Sequence, residues 1–294
     1  MRDRLVTASA ADGTVALVAG ITTKLVAETR QRHGTSPTAS VAIGRLVTAA
    51  ALLGANLKGR ERLSLQVSGS GTIGGIVAEV TMLPDHTVGA RAYAHHPDAD
   101  LPLTESGKFN VGELVGRGKL LVTKSYEVGQ PYTGIVNLIT GEIASDVAAY
   151  FAYSEQVPSV VALGVQMDQS GVRAAGGVIA HVLPGASDET IGRLEENSNT
   201  MDPITTQLLA GARPEDIIQR VCTGVAAKRL REYDVLFACR CTREKVETAL
   251  LGLGHDELVK IAQEQPTTEA TCEFCKRIWK LSADEVSSLA ARIR

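Results

Sequence analysis

Four of the chain's five cysteines stand in two close pairs, Cys239-Arg-Cys241 and Cys272-Glu-Phe-Cys275, with thirty residues between the pairs. Zinc takes four soft ligands at the corners of a tetrahedron, about 2.3 Å from each sulfur. A Cys-x-x-Cys turn presents two sulfurs from one knuckle. A Cys-x-Cys pair presents two more where a strand bends, because side chains at i and i+2 share a face. Cysteines packed merely as small hydrophobic residues have no reason to cluster this way. Zinc is therefore expected on Cys239, Cys241, Cys272 and Cys275. The fifth, Cys222, follows Ile217 and Ile218 at apolar spacing and reads as a packed thiol.

That site constrains the segment around it. Residues 236–294 hold few large apolar side chains, and a module of about 60 residues is marginal without a staple. Structural zinc supplies on the order of 10–16 kcal/mol of folding free energy. Four thiolates are also oxidisable, and oxidation would remove the metal together with the stability it confers. The signals inside the module are short helices. Thr242 caps a helix from Arg243 to about Leu251, a second fits Asp256 to Gln263, and Ser282-Ala-Asp-Glu285 is a capping box before Val286, Leu289 and Ile293.

Residues 1–184 read as one α+β domain. Ser36 to Leu57 is expected to be a helix with Pro37 in its first turn. Leu63–Val67 and Ile76–Met82 read as strands, with glycines 69, 71, 74 and 75 between them; Val88–Ala94 follows the turn at Pro84-Asp85-His86. Tyr132–Ile139 reads as a strand and Glu142–Ser154 as a helix. Val160–Met167 and Arg173–Leu183 read as a strand pair turned at Asp168–Gly171. Short connections between strands imply an antiparallel or mixed sheet with helices packed on it.

Residues 185–235 differ in kind. They carry 6 basic and 9 acidic residues, against 15 of each in 1–184 and 9 of each in 236–294, so the whole net charge of −3 sits in the middle. Pro203 before Ile204 and Pro214 before Ile217 and Ile218 mark short helices. The stretch reads as a helical linker with a thin apolar stripe, stable only when docked.

The opening residues Met1 to Gly13 lack the apolar core of a signal peptide, and the most apolar stretch, Leu46 to Leu57, is broken by Thr48, Gly54 and Asn56. No membrane span is expected. A cytoplasmic setting follows, where thiols persist and clustered cysteines favour metal.

Several other patterns carry less. Gly69-Ser-Gly-Thr-Ile-Gly74 matches a dinucleotide fingerprint, but a strand is expected after it and Arg91 stands where an acid would be needed. His95-His96-Pro-Asp98 reads as a solvated loop, and His255 as surplus to four thiols. Ser154-Glu155 lacks elbow glycines and a partner histidine. Glu195-Glu196 and Asp284-Glu285 read as solvated helix faces. No catalytic set emerges, and the chain is not expected to be an enzyme.

Phe237-Ala-Cys-Arg-Cys241 with Cys272-Glu-Phe-Cys275 resembles the zinc motif of the redox-regulated holdase chaperones, the thirty-three-kilodalton heat-shock proteins. Tyr132-Thr-Gly-Ile-Val-Asn-Leu-Ile-Thr-Gly-Glu-Ile-Ala-Ser-Asp146 and Tyr150-Phe-Ala-Tyr-Ser-Glu-Gln156 resemble that family's core-domain signature. Ala175-Gly-Gly-Val-Ile-Ala-His-Val-Leu-Pro184 resembles the end of that domain. The likeness spans nearly the whole chain. It implies a chaperone core over 1–184, a redox-sensitive helical linker over 185–235 and a zinc-binding switch over 236–294. It also implies that the reduced, zinc-bound form is inactive as a chaperone. Oxidation with heat would join Cys239 to Cys241 and Cys272 to Cys275, release the metal and unfold the linker. The active dimer would hold unfolding client proteins without ATP and pass them to ATP-dependent foldases.

Two other functions fit a paired-cysteine tail. A zinc-ribbon nucleic-acid binder needs a basic surface, typically a domain pI above about 9, and the balanced charge of 236–294 argues against it. A thiol–disulfide oxidoreductase needs Cys-x-x-Cys at a helix N-terminus after a strand, whereas Lys276-Arg-Ile-Trp279 reads as the second arm of a zinc knuckle. Neither a nucleic acid nor a membrane is expected as partner.

Overall fold

Ser36 caps the central helix, its hydroxyl accepting from the Ala39 amide, and Pro37 opens it. This helix, Pro37–Gly54, is long and apolar enough to cross a membrane by length and composition, yet 83% of it is buried inside the protein. It is apolar all round because strands surround it. Gly54 permits that closeness: a Cβ there would lie 2.3 Å from Val80 Cγ2.

The structure, a computed structural model, describes residues 2–293. It divides into two compact units, Met1–Ala238 and Cys239–Arg294. The first contains β1 (Arg4–Ala10), β2 (Val15–Ile21), α1 (Thr23–His33), α2 (Pro37–Gly54), β3 (Arg62–Gly69), β4 (Gly75–Met82) and β5 (Val88–Ala94). It continues through α3 (Val111–Val115), β6 (Gly118–Ser125), β7 (Tyr132–Asn137), α4 (Ala144–Tyr150), β8 (Ser159–Asp168) and β9 (Gly171–Val182). Then come α5 (Asp188–Thr200), α6 (Ile204–Leu209), α7 (Pro214–Val221) and β10 (Ala227–Phe237). The second unit holds α8 (Arg243–Leu251), α9 (His255–Glu264), β11 (Thr267–Thr271), β12 (Ile278–Ser282) and α10 (Ala283–Ala290).

Ten strands form one sheet in the order β7-β6-β3-β4-β5-β10-β1-β2-β9-β8. Every pairing is antiparallel except β10 with β5, so the sheet is mixed and the fold α+β, as the short connections suggest. One face of the sheet closes on α2, where Leu46, Leu52, Leu65, Ile76 and Ile43 are almost fully buried.

Several expectations meet a different outcome. The helix expected over Glu142–Ser154 is α4 followed by one π-helical turn, Phe151–Glu155. Its start is fixed by the buried Asp146, whose carboxylate accepts from the amides of Ile139, Thr140, Gly141 and Ile143. That cradle also ends β7 at Asn137. The stretch 185–235 is helical only to Val221 and finishes in β10, a strand whose backbone bonds come from β1.

Helices α5, α6 and α7 cover the sheet face that α2 does not. Leu194, Ile204, Leu208, Ile217, Ile218, Val221 and Cys222 pack on Val6 and Ala8 of β1, Val15 and Ile21 of β2, and Val178 of β9. Cys222 is a packed thiol here, pushed up to about 11 by burial. The layer is thin: α5 buries Leu194 alone across its length. Such short helices draw their stability from docking rather than from propensity. One polar clip assists them. Arg4 donates two hydrogen bonds to the Glu215 carboxylate of α7, at 2.8 and 2.7 Å, and holds that carboxyl below its usual range. Arg229 and Glu232 of β10 complete the network.

Replacing Ile217, which is fully buried, with alanine is expected to cost about 2–5 kcal/mol of docking. Amide exchange should speed up across Asp188–Val221 and stay unchanged in α2. Equal acceleration in both would show that this layer does not open on its own.

Candidate metal centre

The sulfurs are delivered by two different turns. Cys239 and Cys241 lie in the irregular segment between Phe237, the last residue of β10, and Thr242, which caps α8 by accepting from the Lys245 amide. Cys272 and Cys275 occupy the turn joining β11 to β12, whose strands pair from Thr267↔Ser282 to Thr271↔Ile278. The Cys272 amide donates to the Arg277 carbonyl at 2.9 Å, and the Lys276 amide donates back to the Cys272 carbonyl at 2.8 Å. Lys276 has φ +57°, in the left-handed region, which folds the knuckle so that both sulfurs point the same way.

All four Sγ atoms lie within 4.8 Å of one another. Cys239 and Cys272 are 3.7 Å apart, and Cys241 and Cys275 are 3.4 Å apart. A tetrahedron with metal–sulfur bonds of about 2.3 Å has edges near 3.8 Å. Both separations are close to that edge, and both far exceed a disulfide bond of about 2.05 Å. None of the four is joined in a disulfide.

The surroundings make bare thiolates costly. Burial, then contact with the other sulfurs, pushes the Cys275 thiol up to about 12, although the Arg277 amide opposes this. Burial also raises Cys241. A divalent cation reverses that balance, because it is the largest local charge and holds coordinating thiols deprotonated. The donor set and its spacing thus fit a structural metal. Among the described residues no other group of three or more His, Cys, Asp and Glu side chains converges in this way.

Around the cluster the module has a small core of Leu258, Leu281, Val286, Leu289 and Ala290. Ser282 and Glu285 form the expected capping box of α10, and Arg243 of α8 donates to Glu285. Strands β11 and β12 are an addition to the helices expected here.

The remaining sequence patterns stay apart from the cluster. His255 is exposed at the start of α9 and contacts Asp256. His95 and His96 lie in the loop after β5, where His95 stacks on Tyr93. The glycine run is a turn between two strands. A Cβ on Gly69 would lie 2.0 Å from the Val115 carbonyl oxygen, so the glycines serve close backbone approach. Sequence reasoning passed over Ser159 and His181, which the pairing of β8 with β9 brings to 2.8 Å. Burial lowers the pKa of His181, the Phe151 ring lies edge-on to it, and Ser159 also donates to the Val157 carbonyl. This arrangement joins the π-helical turn to the sheet.

A sheet-and-helix unit joined to a four-cysteine module defines the class. The family model described as Hsp33 protein matches residues 3–282. The 33 kDa chaperonin of Desulforamulus reducens is 41% identical over 294 residues, covering 100% of this chain and 99% of that relative. That of Acetivibrio thermocellus is 38% identical, covering 98% and 97%. The crystal structure of the 33 kDa chaperonin, heat shock protein 33 homolog, from Thermotoga maritima superposes with a TM-score of 0.90 at 31% identity, covering 99% of both chains. The chain belongs to the Hsp33 family of chaperones.

Reduced protein is expected to hold about one equivalent of divalent metal per chain. Trp279, the chain's one tryptophan, lies in β12 opposite Ala270, with the Arg277 guanidinium 5.3 Å from its ring. Chelation should shift its emission to the red in step with metal loss. Metal-free reduced protein with unchanged emission would exclude a stapling metal.

Proposed function

We propose that this chain is a redox-gated holdase, in which zinc on Cys239, Cys241, Cys272 and Cys275 keeps a stress chaperone silent. The observation that carries the reading is the pairing of two features. Four converging sulfurs stand at the start of a module with a core of five residues, and the preceding stretch covers an apolar sheet face with three short helices. In this reading residues 1–184 are the chaperone core, 185–235 the switch and 236–294 the sensor.

Zinc, when bound, holds the four sulfurs as thiolates and supplies the module's folding free energy. The residues do the rest. Peroxide takes two electrons from each pair, Cys239 with Cys241 and Cys272 with Cys275. Each pair consumes one peroxide: its O–O bond breaks, one S–S bond forms between the two thiolate sulfurs, and the two oxygens leave as two waters after taking up two protons from solvent. Sulfurs joined as disulfides no longer carry the negative charge that retains a divalent cation. A module this small then unfolds, and α5 to α7 lose their fixed continuation. Their departure uncovers Val6, Val15, Ile21 and Val178, an apolar face suited to unfolding clients. A cytoplasmic dimer that hands clients to ATP-dependent foldases completes the proposal.

Two rival readings find less support. Cys272 and Cys275 sit in a strand-to-strand turn, whereas a thiol oxidoreductase activates its cysteine at a helix N-terminus. The module's equal numbers of basic and acidic residues do not make a nucleic-acid surface.

The test is light scattering from a heat-denatured client. Peroxide-treated, zinc-free protein is expected to suppress aggregation at about one dimer per client, and reduced protein is not. Ile217→Asn with Ile218→Asn should suppress it while still reduced. Equal protection by the reduced and oxidised forms, or a silent double variant, would refute the gate.

A further inference from the structure

Strand β10 is weakly held in the sheet. It pairs with β1 along its length but meets β5 only over Val235–Phe237. Every side chain from Ala227 to Glu232 is exposed. Lys228, Arg229, Arg231, Glu232 and Asp234 are charged, and the apolar Leu230 is the odd residue of a bulge, since Thr7 pairs with Arg231 and Ala8 with Arg229. A bulge interrupts the ladder, and over Ala227–Asp234 β10 has a strand neighbour on one side only, where its charges discourage further pairing. The strand beneath is the opposite. From Leu5 to Ala10, Leu-Val-Thr-Ala-Ser-Ala, β1 carries no charge, and Leu5, Val6, Ala8 and Ala10 are buried. A charged, bulged strand therefore guards an uncharged, regular strand edge.

One residue, Ala238, separates the last β10–β5 pair, Phe237↔Ala90, from Cys239, and its amide donates to the Ala90 carbonyl. The guard strand thus ends where the sulfur cluster begins. Beside it a cavity of about 470 Å³ opens between β1, β2 and the residues after α2, lined by Thr7, Leu17, Leu57, His181, Leu230 and Tyr233.

We propose that the lane β10 vacates along β1 takes an extended apolar segment of an unfolding protein, by strand addition. This rests on the redox-gated reading above. When β10 peels away, seven residues of β1, Arg4 to Ala10, lose their partners on that side. Unpaired main-chain groups beside an apolar surface call for another strand. An unfolding chain supplies one, because the ladder reads backbone alone and the apolar surroundings ask only that alternate side chains be apolar. Its apolar side chains would meet Val6, Ala8 and the adjoining cavity, where β10 offers arginines and glutamate. The guest is thus better matched to the lane than the guard, and it binds only once the guard has gone.

The test is residue-resolved amide exchange on the full chain, with reduced and carboxymethylated α-lactalbumin as a permanently unfolded probe. Scattering with a heat-denatured client is measured on the same samples. On oxidation the β1 amides that face β10 should exchange at least about tenfold faster, and the probe should slow them again to within a few-fold of the reduced rate. If oxidised protein holds the client while these amides stay protected, or remain fast with probe bound, the lane is not the site and the gate still stands. If oxidised protein fails to hold the client, the gate fails and the lane with it. Protection that returns without probe and rises with the protein's own concentration assigns the lane to a second copy and overturns the proposal.

Discussion

Four sulfurs converge within 4.8 Å of one another, an arrangement that fits a divalent cation among them. Their separations of 3.4 and 3.7 Å are those of ligands around one ion, and burial with mutual crowding lifts the Cys275 thiol far above its ordinary value. The rest of the second unit has little else to stand on. Its core of five apolar residues and its two-stranded ribbon are below what an independent domain of that size needs. On the proposed reading, a metal on these sulfurs concentrates the unit's stability in one chemical group, so that a reaction there is felt through the whole unit. A larger core would have made the module sturdier and insensitive.

The first unit is built with unequal strength on the two faces of its sheet. On one face α2 packs against strands and brings Ile43, Leu46 and Leu52 into a core of large buried side chains that strands and neighbouring helices complete. On the other, three helices of 13, 6 and 8 residues lie on small side chains, chiefly alanine and valine. Small residues on the sheet and short helices above it give a shallow interface. The Arg4–Glu215 pair adds orientation more than energy, because both side chains keep some contact with water. The second layer has less holding it than the first, and the proposed gate relies on that asymmetry.

How much of this was legible in the sequence follows from whether the cause was local. The cysteine spacing is local chemistry and identifies the four converging residues. Strands β3, β4 and β5 alternate, lie between turn residues and pair with sequence neighbours, so their signals reinforce one another. The capping boxes and Pro37 are equally local. Strand β10 was hidden because its partner, β1, is more than 200 positions away, and its exposed charges obey no period. Strands β1 and β2 were hidden for a related reason. Alanine, serine and glycine have little intrinsic preference for strands, and these segments are extended because their neighbours in space are. The knuckle between β11 and β12 was visible as cysteines but not as a hairpin, since Thr267-Thr-Glu-Ala-Thr271 is too polar to stand out.

The position of β10, in mid-sheet between β5 and β1, bears on how the proposed gate would work. Without it the remaining nine strands would fall into two groups, β7-β6-β3-β4-β5 and β1-β2-β9-β8. What keeps the groups together is α2, whose buried side chains share one continuous core with Leu65, Ile76 and Ala90 from the first group and with Leu5, Val18 and Ile179 from the second. The joint made by β10 is therefore redundant for cohesion. It involves three residue pairs on the β5 side and an exposed, bulged ladder on the other. Removal of β10 would expose the β1 edge and withdraw only Val235, with Tyr233 and Phe237 beside it, from the core around α2. Carrying the same coupling through α2 would expose the protein's own core instead of a surface for others.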